Sequence, residues 1–145
     1  MTTQSITARA VNLLSRREHS KAELRTKLLK AAFELDEIND TIDKLAATDI
    51  QSDDRFAENY LRYRSQRGFG SQKIRLELKE RGVHSDIINT AFEQAEIDWF
   101  ELAVTVRNKR FGEQVPEDLK DRAKQQRFLQ YRGFTHEQIN ESLNS

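Results

Sequence analysis

Residues 74–92, IRLELKERGVHSDIINTAF, decide the fold because their apolar frame recurs on both sides of them. Upstream, at an offset of 50, Ile74, Leu78, Val83, Ile88, Phe92 and Ala95 match Leu24, Leu28, Phe33, Ile38, Ile42 and Leu45. Downstream, at an offset of 51, Leu78, Gly82, Val83, Ile88 and Phe92 match Leu129, Gly133, Phe134, Ile139 and Leu143, while Ile74 falls on Gln125. A period of this length marks stacked units that bury their apolar faces against neighbours. The expected fold is therefore all-α: three tandem three-helix repeats over residues 7–48, 53–97 and 98–145, forming an elongated, curved array. Such surfaces bind more readily than they catalyse.

Composition fits that reading. Of 145 residues, 37% are hydrophobic and 33% charged, which describes a thin core and much solvated surface. With no cysteine there is no disulfide framework and no thiolate metal site, as expected of a cytoplasmic protein. The segment Met1 to Thr7 is polar and lacks the basic and apolar regions of an export signal, and no run is apolar enough for a membrane span.

Net charge is zero, which argues against a generic nucleic-acid binder, but the charges alternate in sign along the chain. Residues 7–30 carry 7 basic against 2 acidic side chains, residues 34–54 carry 1 against 8, and residues 55–81 carry 8 against 3. Residues 83–101 then carry 0 against 5, and residues 105–132 carry 8 against 4. Each repeat thus opens basic and closes acidic. These are either solvated helix faces or, once the repeats stack, one positive and one negative stripe.

Local signals place the helices. Ser20 with Glu23, and Thr135 with Gln138, have the spacing of a capping box that starts a helix. Asp53 or Asp54 suits the start of the next repeat. On a helix there, Phe56, Tyr60, Tyr63 and Arg67 share one face, as core or as a stacking platform, and Arg55 and Arg62 share another. Gly68-Phe69-Gly70 permits a tight link; it lacks the preceding strand and the Gly-Lys-Ser or Gly-Lys-Thr of a phosphate loop. Arg75 and Lys79, four residues apart, repel one another, and retaining such a pair points to an anionic partner. Gly82 and Gly133 end their helices in the left-handed region, whereas the first repeat has Ala32, where that cap is expected to be lost. Trp99, the only tryptophan, is a packing anchor or a binding residue. A longer link with Gly112 and Pro116 follows it.

No catalytic constellation is visible. His19, His84 and His136 are scattered without metal-ligand spacing, and the serines lack a nucleophile-elbow context. No enzyme, metal, cofactor or small-molecule substrate is expected.

Five segments in order resemble the RecX family of recombinase regulators. They are Arg16-Arg17-Glu18-His19-Ser20 with Glu23-Leu24 and Lys27-Leu28; Asp53-Asp54-Arg55-Phe56-Ala57; Arg67-Gly68-Phe69-Gly70 with Ile74, Glu77-Leu78 and Arg81-Gly82-Val83; Lys109-Arg110-Phe111-Gly112; and Arg127-Phe128-Leu129 with Arg132-Gly133-Phe134. The resemblance implies a non-catalytic, helical modulator of the RecA recombinase that lies along the groove of its filament on single-stranded DNA. It implies inhibition of ATP hydrolysis, strand exchange and repressor self-cleavage, hence a place in DNA repair, recombination and the SOS response. The expected contact residues, toward acidic recombinase surface or DNA phosphates, are Arg55, Arg62, Arg64, Arg67, Arg75, Lys79 and Arg81. A monomer with weak direct DNA contact is expected. The rival reading is a stand-alone helical nucleic-acid-binding module, since three-helix units resemble helix-turn-helix domains.

Overall fold

The computed structural model describes residues 4–144; Met1–Thr3 of the polar N-terminal segment and Ser145 of the third expected repeat lie outside the described residues. Among the described residues there are nine helices and no strand: α1 (Ile6–Arg16), α2 (Lys21–Lys30), α3 (Leu35–Ala47), α4 (Asp53–Gln66), α5 (Ser71–Glu80), α6 (Ser85–Ala95), α7 (Trp99–Phe111), α8 (Leu119–Arg132) and α9 (His136–Leu143). The fold is all-α, in three successive groups of three helices.

The helix starts follow from the capping chemistry. Both capping boxes form: the Ser20 hydroxyl accepts from the Glu23 amide at 3.1 Å, the Thr135 hydroxyl from the Gln138 amide at 3.2 Å, and each N3 side chain returns to its cap. At α4 the cap is Ser52, whose hydroxyl accepts from the Arg55 amide at 3.1 Å. Asp53 is thereby freed to bind elsewhere, and its carboxylate accepts from the amide of Lys21, the first residue of α2, at 2.9 Å. Asp98 and Asp118 cap α7 and α8.

The matched apolar positions are mostly core. Leu24, Leu28, Ile38, Ile42 and Leu45 join Ile6 and Ala10 in one buried cluster; Leu129, Phe134, Ile139 and Leu143 join Ala103 and Val106 in another. Ile74, Leu78, Val83 and Ile88 are buried as well. Gln125, where the match breaks, is also buried, so the position keeps its environment while changing its chemistry. Ala95 departs from the frame: it is exposed, because α6 ends there. The aromatic face expected of α4 forms, with Phe56 and Tyr60 rings 5.7 Å apart, but it is not core along its length. Its buried stripe is Phe56, Ala57, Leu61 and Ser65, and Tyr63 is 56% exposed, its ring lying beneath the Arg67 guanidinium at 5.6 Å.

The turn after the second helix of each group is the same. The amides of Phe33, Val83 and Phe134 donate to the carbonyls of Leu28, Leu78 and Leu129 at 3.2, 3.1 and 3.2 Å, and the residue between is left-handed in every case. Ala32 adopts φ 68° beside 78° at Gly82 and 97° at Gly133. The expected loss of the cap at Ala32 does not occur: the carbonyl bond and the burial beyond it outweigh a steric cost of about 1 kcal/mol.

Internal contacts divide the chain into two compact units: residues up to Tyr60 with Leu78–Ala91, and Leu61–Glu77 with Phe92 onward. Each is built on one junction. In the first unit the Ser20 hydroxyl, at the start of α2, donates to the Arg81 carbonyl, at the end of α5, at 2.7 Å. In the second, the Gly70 and Gln72 amides, at the start of α5, donate to the Arg132 and Gly133 carbonyls, at the end of α8, at 2.7 and 3.0 Å. A Cβ on Gly82 would stand 2.5 Å from the Ala22 Cβ, and one on Gly133 would stand 2.7 Å from the Lys73 amide nitrogen. Ala32 faces solvent and meets no such neighbour. Gly82→Ala and Gly133→Ala should therefore each lower stability by more than about 2 kcal/mol, whereas Ala32→Gly should raise the melting midpoint by roughly 2 °C. Thermal melts followed by circular dichroism check the opposite signs.

His19 is buried between α1 and α2. Its Nδ1 donates to the Arg17 carbonyl at 3.0 Å, so its Nε2 accepts from the Lys27 ammonium at 2.8 Å. Burial, aided by the charges of Arg17 and Lys27, pushes the imidazole below its ordinary value of 6.5, against the opposing effects of its backbone bond and Glu23. The folded state thus prefers the neutral ring, and the unfolded state binds the extra proton. Stability is complete above about pH 6.5 and falls as pH drops through that value toward the lowered one. The melting midpoint should fall between about pH 7.5 and 5.5, and His19→Gln should flatten that slope; equal slopes in both proteins would contradict the burial argument.

Candidate functional site: a basic cleft

The seven cations singled out in the sequence divide by what holds them. Arg55 is a structural strut: its Nε donates to Glu18 at 2.9 Å and its Nη2 to the Asp49 and Ile50 carbonyls at 2.7 and 3.1 Å. The Glu18 hydrogen bond raises its already high pKa further. Arg64 is clamped by Glu77 through two bonds of 3.0 and 2.9 Å and lies 3.7 Å over the Phe69 ring. Arg81 stands 3.9 Å from Glu23 and 4.7 Å over Tyr60. Arg75 covers Phe92 at 4.2 Å, on whose ring Trp99 also stacks at 5.6 Å, so Trp99 packs rather than standing free. Arg62, Arg67 and Lys79 are exposed.

Arg67 leads to a feature the sequence reading did not single out. In the second unit, the end of α4 and one face each of α7 and α8 line a cleft of about 530 Å³. Its floor includes Leu102, Val106 and Phe128, and its rim carries Arg67, Lys109, Arg110 and Arg132. No acidic side chain lines it. Among the described residues none of these four cations has a carboxylate at ion-pair distance, in contrast to Arg17, Arg55, Arg64 and Arg81.

The rim is preorganised by aromatic contacts. Arg132 lies 4.9 Å over Phe69 and 5.0 Å over Phe128, and its Nη1 donates to the Arg67 carbonyl at 3.1 Å. Arg110 lies 5.2 Å over Phe111 and 5.7 Å over Phe128, whose two rings meet edge to face at 5.3 Å. Such stacking holds a guanidinium in place while leaving its N–H groups able to donate. The signal was present in the sequence as two basic-aromatic pairs, Arg110-Phe111 and Arg127-Phe128, within the basic stretch 105–132. What the sequence could not show is that the loop through Gly112 and Pro116 folds back. Buried Arg107 secures that loop by donating to the Gln114 carbonyl at 3.1 Å.

Among the described residues no group of three His, Asp or Glu is placed to hold a metal ion. No described helix is long and apolar enough to cross a membrane.

Comparison with known proteins accounts for all three groups of helices. Residues 8–45, 52–91 and 96–143 match the models of the first, second and third three-helix domains of RecX. Proteins called regulatory protein RecX are 41% identical in Chromohalobacter salexigens, over 99% of this chain and 95% of that protein, and 40% identical in Halorhodospira halophila, over 90% and 81%. One from Mannheimia succiniciproducens is 42% identical over 86% of this chain and 83% of its own. The crystal structure of RecX from Lactobacillus salivarius has the same fold, with a TM-score of 0.80 at 24% identity over 96% of this chain and 92% of that one. With three domain models in order along most of its length and relatives at this identity, the chain belongs to the RecX family of regulatory proteins.

Proposed function

We propose that this protein is a negative regulator of the RecA recombinase, acting by binding rather than by catalysis. In this reading its three-helix units, 7–48, 53–97 and 98–145, lie along the groove of the RecA filament on single-stranded DNA. Contact with more than one recombinase subunit restrains ATP hydrolysis, strand exchange and repressor self-cleavage in the bacterial cytoplasm. The observation that carries the reading is the in-order match of three domains to a family whose members are named as regulators. Engagement of several subunits at once favours filament over free recombinase without requiring tight individual contacts. The cations assigned to the contact are Arg62, Arg67, Arg75 and Lys79, with Arg55, Arg64 and Arg81 shaping the same helices through Glu18, Glu77 and Glu23.

The basic cleft supports a second reading, a stand-alone nucleic-acid-binding module acting on a phosphate backbone. Against it stand the acidic last helices of the first two groups, α3 and α6, and the zero net charge.

The test is RecA ATP hydrolysis on single-stranded DNA with rising amounts of this protein, alongside a titration of DNA alone against salt. Inhibition of hydrolysis is expected, with loss of inhibition when Arg62, Arg67, Arg75 and Lys79 are reversed together to Glu and the helical circular dichroism is kept. Arg64→Glu should instead lower thermal stability, since it leaves Glu77 facing a like charge. Strong, steeply salt-dependent DNA binding with no effect on RecA would favour the rival.

A further inference from the structure

The cleft of the second unit combines an aliphatic and aromatic floor with a cationic rim that, among the described residues, has no carboxylate at ion-pair distance. Part of that rim has a local explanation. Arg67 follows the end of α4, Lys109 and Arg110 lie in the last turn of α7, and Arg132 in that of α8, so all four sit at helix C-termini. Three C-termini present about half a negative charge each, or roughly 1.5 in total. Four positive side chains exceed this by two to three charges. The surplus favours an anionic ligand over a neutral one.

The floor selects among anions. Phe128 is half-buried and already in contact with the Arg110 and Arg132 guanidinium groups and, edge to face, with Phe111, so it is a poor stacking platform for a nucleobase. The remaining floor, Leu102 and Val106, is aliphatic. An apolar side chain fits such a pocket, and carboxylates on either side of it reach the rim. We propose that this cleft docks a short acidic segment of a partner protein, one apolar side chain seated on Leu102 and Val106 beside Phe128 and two or three flanking carboxylates paired with Arg67, Lys109 and Arg110. The inference rests on the reading that the partner is a protein, and it names the kind of segment that protein offers. Arg132, pinned between Phe69 and Phe128, is the positioning residue that fixes the rim. The apolar anchor supplies the hold and the charges supply orientation and encounter rate.

A fluorescein-labelled peptide with a central phenylalanine between two pairs of glutamates tests this by anisotropy against the full chain. Three further probes accompany it: the same peptide with glutamines for glutamates, the same with alanine for phenylalanine, and oligothymidylate. Expected is saturable, salt-sensitive binding of the first peptide, on the order of tenfold tighter than either altered peptide. The double variant Lys109→Gln/Arg110→Gln, whose changes are exposed on α7, should lose about tenfold for the first peptide with its helical circular dichroism kept. The proposal is overturned if the variant binds that peptide as the native chain does. It is also overturned if the altered peptides bind equally, or if oligothymidylate alone binds the cleft. The RecA hydrolysis assay on the same two proteins separates the failures. Inhibition by native protein and variant alike sinks the cleft and leaves the regulatory reading. Peptide binding without any inhibition does the reverse.

Discussion

The structure depends on one recurrent contact, the carbonyl end of a middle helix set against the amide start of an earlier middle helix. A helix leaves its last carbonyls and its first amides without partners, and the two ends carry opposite partial charge. The end of α8 meets the start of α5 through direct amide-to-carbonyl bonds, and the end of α5 meets the start of α2 through the Ser20 hydroxyl, which accepts from the Glu23 amide and donates to the Arg81 carbonyl. The approach is close enough that a glycine must occupy the helix end, since at Gly82 and Gly133 a Cβ would collide with Ala22 and Lys73. Hydrophobic burial supplies the bulk of the stability, but these polar joints fix the register. They also explain why the compact units do not coincide with the sequence repeats: each unit is centred on a joint, so the dividing line runs through α4, α5 and α6.

Ala32 shows how the two constraints separate. The left-handed turn after a second helix is demanded by the backbone bond to Leu28, Leu78 or Leu129, and an alanine can meet that demand at a tolerable cost. The absence of a side chain is demanded only where another helix arrives. Glycine as the sole sign of the turn therefore misses the turn at Ala32, while the apolar frame around it remains a sound guide. The frame is legible because Leu24, Ile74 and Leu129 must all be buried, whatever surrounds them. Tyr63 misleads for a related reason: helical spacing with Phe56 and Tyr60 defines a face, yet the buried stripe is the adjoining one through Ala57, Leu61 and Ser65.

The site is less legible than the fold. A count of basic residues marks the first part of each repeat, but it cannot distinguish a cation that anchors the fold from one that awaits a partner. Arg55 and Arg64 come from the most basic stretch and are held by Glu18 and Glu77, 37 and 13 residues away in sequence. Lys109, Arg110 and Arg132 are less distinctive in the sequence and have no carboxylate at ion-pair distance among the described residues. Only the folding back of the link between α7 and α8, held by the buried guanidinium of Arg107, brings them to one rim. Pairing is a long-range property, and spacing along the chain does not encode it.

The two glycine joints have a consequence for how the chain can be divided. Gly82 meets Ala22 and Gly133 meets Lys73, each pair 60 residues apart, although the repeat itself advances by 50 or 51. Each clasp joins the end of one middle helix to the start of the middle helix before it, so it spans a whole repeat and one helix more. A piece cut at the repeat boundaries would carry half of a fastening and leave the other half behind.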